Sequence, residues 1–115
     1  MNAKVELEWL PVCKLDDVLP NLGVCAKVAD RQVAIFRIAD TEGTQLFAID
    51  NHDPISEANV LSRGIVGDLK GHIVVASPVY KQHFDLVTGQ CLEDDICVPV
   101  YPVREQNGQI EVMVS

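Results

Sequence analysis

The 115-residue chain is short of positive charge, of aromatic residues and of long apolar runs, and each shortage removes a class of function. Nine Lys and Arg stand against seventeen Asp and Glu, for a net charge of −8. Binding a nucleic-acid backbone needs clustered basic side chains, so nucleic acid is not an expected partner. The same acidity serves solubility, and it suits a soluble partner with a basic docking face. Apolar stretches such as "VVASPVY" fall far below the ~20 residues that cross a bilayer, so no membrane is expected. The opening "MNAKVELEWL" lacks a basic region followed by an apolar one, and the expected location is the cytoplasm.

The usual catalytic and metal signatures are missing too. Four cysteines (Cys13, Cys25, Cys91, Cys97) occur without any CxxC or CxxxC spacing, so a zinc or iron–sulfur site built from them alone is not expected. Without a secretion signal they read as reduced thiols. Cys25 in "GVCAKV" and Cys97 in "DICVPV" lie in apolar alternations and are expected in the core. Cys91 precedes "LEDD", whose negative charge should raise the thiol pKa and disfavour the reactive thiolate. Ser56, Ser62 and Ser77 have no GxSxG context, and Gly64, Gly67 and Gly71 are spaced as turns rather than as a phosphate loop. A metal set of His52, Asp53 and His83 is conceivable by ligand type, but its spacing is not diagnostic. The acidic run Glu93-Asp94-Asp95 reads as a solvated face rather than a Ca²⁺ site.

What is present is a β pattern in a chain long enough for one core, a single domain over 1–115 with its core from about 5 to 114. "VELEWL" alternates, and "KLDDVLPNLG" predicts a helical turn or loop stopped by Pro20 and Gly23. "VCAKVA" and "RQVAIFRIA" are strands joined at Asp30, and "DTEGTQ" turns into "LFAID". "GIVGDLKGHIVVAS" predicts two strands turning at Gly71, and "QHFDLVTGQCL" a hairpin with Thr88-Gly89 at its tip. Asn107-Gly108 suits a type I′ turn in the last hairpin. Pro99 and Pro102 make the run around them an edge or a bulge. Only "SEANVLSRG" offers another helical turn. Short strands at this turn spacing predict an all-β fold, a small sandwich or barrel of antiparallel strands.

Two loop segments carry the strongest signal, "LFAIDNHDPISEA" and, after a spacer, "GHIVVASPVYKQHFDLVTGQCL". Together they resemble the two boxes of the Rieske [2Fe–2S] domain, with "AIDN", Pro54, Pro78 and "FDLVTG" in matching places. The resemblance implies a Rieske-like small β-sandwich with two former cluster loops. Its departures are specific. Asp53 and Ser77 stand where the family has cysteines, and Ile55 and Tyr80 where it has histidines. Lys81 stands where the family has the glycine of the second loop. A Rieske cluster needs two thiolates and two imidazoles, and none of the four is supplied. His52 and His83 each lie three residues from a histidine position, an odd offset that tends to reverse the direction of a side chain in extended chain.

Within that superfamily, "VCKLDDVLPNLGVCAKV", "FAIDNHDP", "VLSRG", "ASPVYKQHFDLVTGQCLEDD" and "VPVYPVR" resemble the small subunits of cytoplasmic NAD(P)H-dependent nitrite reductases. The resemblance implies a non-catalytic chain without a cofactor of its own. It also implies a partner, a large subunit carrying FAD, a [4Fe–4S] cluster and sirohaem that reduces nitrite to ammonium in nitrate assimilation. The former cluster loops then become a docking surface, with Ile55, Pro78, Val79 and Tyr80 as apolar centre and Lys81, His83, His52 and Arg63 as rim. The competing reading has Ile55 and Tyr80 filling the space left by the cluster. A Rieske-like ferredoxin-type electron carrier, or an interaction module of another oxidoreductase, remains the alternative.

Overall fold

The computed structural model describes residues 8–41 and 43–114; the start of the expected "VELEWL" strand and Glu42 of the "DTEGTQ" turn lie outside them. The described chain is built of antiparallel strands and two short 3₁₀ turns. The strands are β1 (Trp9–Lys14), β2 (Leu22–Val28), β3 (Arg31–Asp40), β4 (Gly43–Asp50), β5 (His52–Asp53) and β6 (Ala58–Asn59). They continue as β7 (Ile65–Leu69), β8 (His72–Ala76), β9 (His83–Asp85), β10 (Val100–Tyr101), β11 (Val103–Gln106) and β12 (Gln109–Met113). The 3₁₀ turns, Leu15–Asp17 and Leu61–Arg63, fall in the two segments where helical turns are expected.

Of the four sheets among the described residues, β5-β6 is a two-stranded pair within the first loop and the other three form layers. The middle one has the order β10-β4-β3-β2, flanked by β1-β12-β11 and by β7-β8-β9. The physical reason is the run Val33-Ala34-Ile35-Phe36, in which every residue is fully buried. Side chains of a strand point to alternate faces, so a continuous apolar run is a strand covered on both. Val33 and Ile35 pack with Val18, Ile110 and Val112 in one core. Ala34 and Phe36 pack with Leu61, Val75, Phe84 and Leu86 in the other. Burial of such side chains stabilises by roughly 1.5–3 kcal/mol each, which makes β3 the strand on which both cores depend.

Pro99 and Pro102 do flank an edge strand: β10 pairs only with β4, and β11 then pairs with β12. The Pro99 carbonyl accepts from Asp50 N–H, and the Pro102 carbonyl from Met113 N–H. The chain thus changes sheets at Pro102, where a backbone donor is not needed. Asn107 and Gly108 both have positive φ (53° and 81°), as the I′ turn demands. The "QHFDLVTGQCL" segment is less regular than a hairpin. Only β9 forms a ladder, and Phe84–Cys91 and Gln90–Cys97 are single bridges. The acidic residues between those bridges are solvent-facing, so too little apolar surface is present to extend the pairing.

Two cysteine expectations are corrected. Cys25 and Cys97 are exposed, and Cys91 is the buried thiol. β2 is the outer strand of the middle sheet, so its alternation has a solvent side; Cys25 lies on it while Val28 closes the core. All four thiols are free.

Gly89 marks the turn that brings the chain back under β10. Its φ is +81°, and an added Cβ would lie 2.1 Å from the Val98 carbonyl oxygen. Gly89→Ala is therefore expected to lower the unfolding free energy by more than ~1 kcal/mol, whereas Gly67→Ala, which meets open space at an ordinary φ, should not destabilise. Urea denaturation of the two variants makes the comparison.

Candidate functional site

The two loop segments hang from β4 and from β8, and a buried asparagine roots the first. Asn51 N–H donates to Gln32 O (2.9 Å), and its carbonyl accepts from Leu61 N–H (3.1 Å). Its side-chain Oδ1 accepts from Ser62 N–H at 2.7 Å, and Nδ2 donates to Gln32 Oε1 at 3.2 Å. A buried amide so fully partnered fixes both ends of the loop against β3. Sequence reasoning did not single out Asn51; its presence in "AIDN" was the available signal.

The first loop then closes as a turn on Asp53. Oδ1 accepts from Ile55 N–H (2.9 Å) and Ser56 N–H (3.4 Å), and the Asp53 carbonyl accepts from Glu57 N–H (2.8 Å). The second loop repeats the device on Ser77: Oγ accepts from Val79 N–H (3.3 Å) and the carbonyl from Lys81 N–H (3.0 Å). Asp85 makes a third copy with Val87, Thr88 and Gly89. In each case the fourth residue onward has positive φ: Glu57 57°, Lys81 67° and Gly89 81°. Only the third copy uses glycine, although this conformation costs other residues roughly 1 kcal/mol.

The first and second turns are joined. Asp53 and Ser77 are both completely buried, and the Ser77 hydroxyl donates to Asp53 Oδ2 at 2.5 Å. That is the short O–H···O⁻ range of a charge-assisted hydrogen bond. Burial by itself pushes the Asp53 carboxyl up, but the Ser77 hydroxyl and the Ile55 and Ser56 amides hold it below its ordinary range. Asp85 behaves alike. Burial raises it, and His72 Nδ1 at 2.6 Å together with the Val87 and Thr88 amides brings it down. An ionised Asp85 can only accept, so Nδ1 of His72 carries the hydrogen.

The remaining candidates separate. Ile55 is half-buried and packs against the core of Phe36, Leu61 and Phe84. Tyr80 and Val79 do the opposite, being 60% and 45% exposed. Pro78 is half-buried beneath them, and Lys81 Nζ donates to its carbonyl at 3.2 Å. Ile65, 76% exposed, stands opposite Ala76 in the β7–β8 ladder, one residue before the second loop. Its place on the Gly67 side of an alternating strand was the signal that could have found it. Arg63 is exposed at the end of the first loop.

The metal set of His52, Asp53 and His83 is not assembled. His52 Nδ1 meets Asn59 Oδ1 at 3.1 Å, Asp53 is engaged with Ser77, and His83 is held by Glu93 through its N–H and Nδ1, both at 2.7 Å. No group of three His, Cys, Asp or Glu placed to hold a metal occurs among the described residues. Glu93, taken from the acidic run, is thereby a structural partner of β9. Burial raises its carboxyl, but the His83 bonds outweigh this and lower it. The Cys91 thiol is raised as expected, though burial outranks the neighbouring charges as the cause.

Nor do the four box positions fit a [2Fe–2S] cluster. The Asp53 and Ser77 oxygens are spent on each other and on backbone amides, and Ile55 has no donor atom. Tyr80 offers one phenol, where two thiolates and two imidazoles are required.

The Rieske-like [2Fe–2S] domain family matches residues 8–113. The small subunit of NADH nitrite reductase from Escherichia coli K12 is 45% identical over 106 residues, 91% of this chain and 96% of that one. The solution structure of the E. coli protein NirD covers 96% of this chain and 99% of its own, with a TM-score of 0.86 at 43% identity. The nitrite reductase [NAD(P)H] large subunit of Klebsiella oxytoca is 43% identical over 105 residues, which are 90% of this chain and 11% of that protein.

Asp53 and Asp85 ionise more readily folded than unfolded, where a carboxyl titrates at about 3.9. Their contribution to stability is therefore complete above that value and is lost as pH falls through their lowered folded values. Urea denaturation from pH 7 to pH 3 should show stability falling on the acid side, with a shallower fall in Asp85→Asn. Equal slopes in variant and parent would contradict the assignment.

Proposed function

The chain belongs to the Rieske-like [2Fe–2S] domain family, and we infer that it is the small subunit of an NAD(P)H-dependent nitrite reductase and acts by binding the large subunit. One observation carries this: 45% identity to such a subunit over nearly the full length of both chains. The Klebsiella large subunit supports the choice of partner. A domain of this kind lies inside that protein, so its neighbour there is the remainder of the same polypeptide.

The chain contributes no redox centre in this reading, because its box residues lack the donor set for a cluster. Electrons pass from the nicotinamide to nitrite through groups of the large subunit, namely FAD, a [4Fe–4S] cluster and sirohaem, in the cytoplasm and for nitrate assimilation. The docking face is the tip of the second loop. Tyr80 and Val79 are its apolar centre and the exposed Ile65 extends it, with Lys81, His83, Arg63 and His52 assigned as its polar rim. Exposed aromatic and aliphatic side chains ringed by charge are the anatomy of an interface core and its rim. Ile55 is withdrawn from that centre into the support beneath it.

Purification through a tag on this chain should bring down a sirohaem-containing protein, while the isolated chain should be colourless and iron-free. A brown, iron-bearing isolated chain would instead make it a ferredoxin-type carrier. Tyr80→Ala is expected to weaken binding to the large subunit by at least about tenfold (~1.4 kcal/mol) with an unchanged melting temperature. Ile55→Ala should behave inversely, lowering stability by about 1–3 kcal/mol. A Tyr80→Ala variant that melts early but binds normally would remove Tyr80 from the interface.

A further inference from the structure

We propose that the Ser77–Asp53 hydrogen bond is a metal-free crosslink between the two loops, and that both residues are positioning residues for large-subunit recognition through Val79 and Tyr80. The second half rests on the docking face proposed above. The bond spans 24 residues of sequence and lies at the two positions where the resemblance puts cysteine ligands. It therefore ties together the same two turns that a cluster would.

Each partner does two jobs with one side chain. Asp53 turns its own loop with Oδ1 and reaches across with Oδ2. Ser77 turns its own loop by accepting at Oγ, and reaches across by donating from it. Both are fully buried, so breaking the link leaves Asp53 Oδ2 in one loop and the Ser77 hydroxyl hydrogen in the other without a partner and away from solvent. Loss on one side must then be felt on the other.

The strain in the two loops points the same way. Glu57 and Lys81 close their turns in the left-handed region, which persists only where surrounding contacts over-determine it. Val79 and Tyr80 lie inside the turn that Ser77 and Lys81 close, with Lys81 N–H on the Ser77 carbonyl. Their direction is set by that closure. An exposed apolar tip held in one conformation loses less entropy on docking than a loose one. Asp85, the third turn of the kind, directs its free oxygen to the partly exposed His72 instead, and so braces its own sheet.

The test is amide hydrogen exchange on the full chain, read across the link, together with affinity for the purified large subunit. Ser77→Ala should speed exchange at Ile55, Ser56 and Glu57, in the other loop, by about tenfold or more, and weaken binding by about tenfold. Asp53→Ala should do the same to Val79 and Lys81, and Ser77→Thr, which keeps the hydroxyl, should restore both readouts. Asp53→Asn can still accept the two amides and donate an N–H to Ser77, so it folds and should fall between parent and Asp53→Ala. Acceleration confined to the loop that carries the substitution overturns the crosslink. Cross-loop acceleration with unchanged affinity overturns the positioning role alone if Tyr80→Ala still weakens binding, and the docking face with it if Tyr80→Ala does not.

Discussion

The two-sided burial of Val33–Phe36 is the constraint on which the other elements rest. A strand covered on both faces needs a layer on each side, and no single hairpin can supply both. β1, β11 and β12 provide one layer through Ile110 and Val112. β7, β8 and β9 provide the other through Val75 and Phe84, and Leu61 from the first loop joins them. The loops are therefore packed parts of the second layer, rooted at Asn51 by hydrogen bonds to Gln32, Leu61 and Ser62.

That rooting explains how the loops keep their form with the ligand residues changed. Three turns repeat one hydrogen-bonding scheme, at Asp53, Ser77 and Asp85, each with an acceptor side chain at its first residue and positive φ at its fifth. The scheme needs only oxygen acceptors. Carboxylates and a hydroxyl satisfy the same amides, and the first two turns use what remains to grip one another. The family's architecture thus holds its shape without those ligands, and the tip of the second loop leaves Val79 and Tyr80 exposed.

Much of this was legible in the chain itself. The all-β class, the strands around Asp30, Gly71 and Asn107-Gly108, and the edge character near Pro99 and Pro102 rest on turn chemistry, which acts over two to four residues. The matching boxes made the family legible from "AIDN", Pro54, Pro78 and "FDLVTG". Errors came where burial depends on which side of a sheet is covered. Cys25 and Cys97 share the local pattern of core residues, yet Cys25 lies on the solvent side of an edge strand and Cys97 on a single bridge outside the ladders, and both are exposed. Ile55 and Tyr80 looked equivalent as replaced histidines, and only packing sends one inward and leaves the other exposed.

By itself, then, the sequence determined which residues turn, which alternate, and that four positions in the boxes cannot supply thiolate and imidazole, because these are properties of side-chain chemistry and local spacing. Tertiary structure decided what those positions do instead. Asp53 and Ser77 are distant in sequence and individually unremarkable as polar residues. They become a buried pair because β4 and β8 present their loops to each other over the same core, and polar groups removed from bulk solvent need a hydrogen-bond partner.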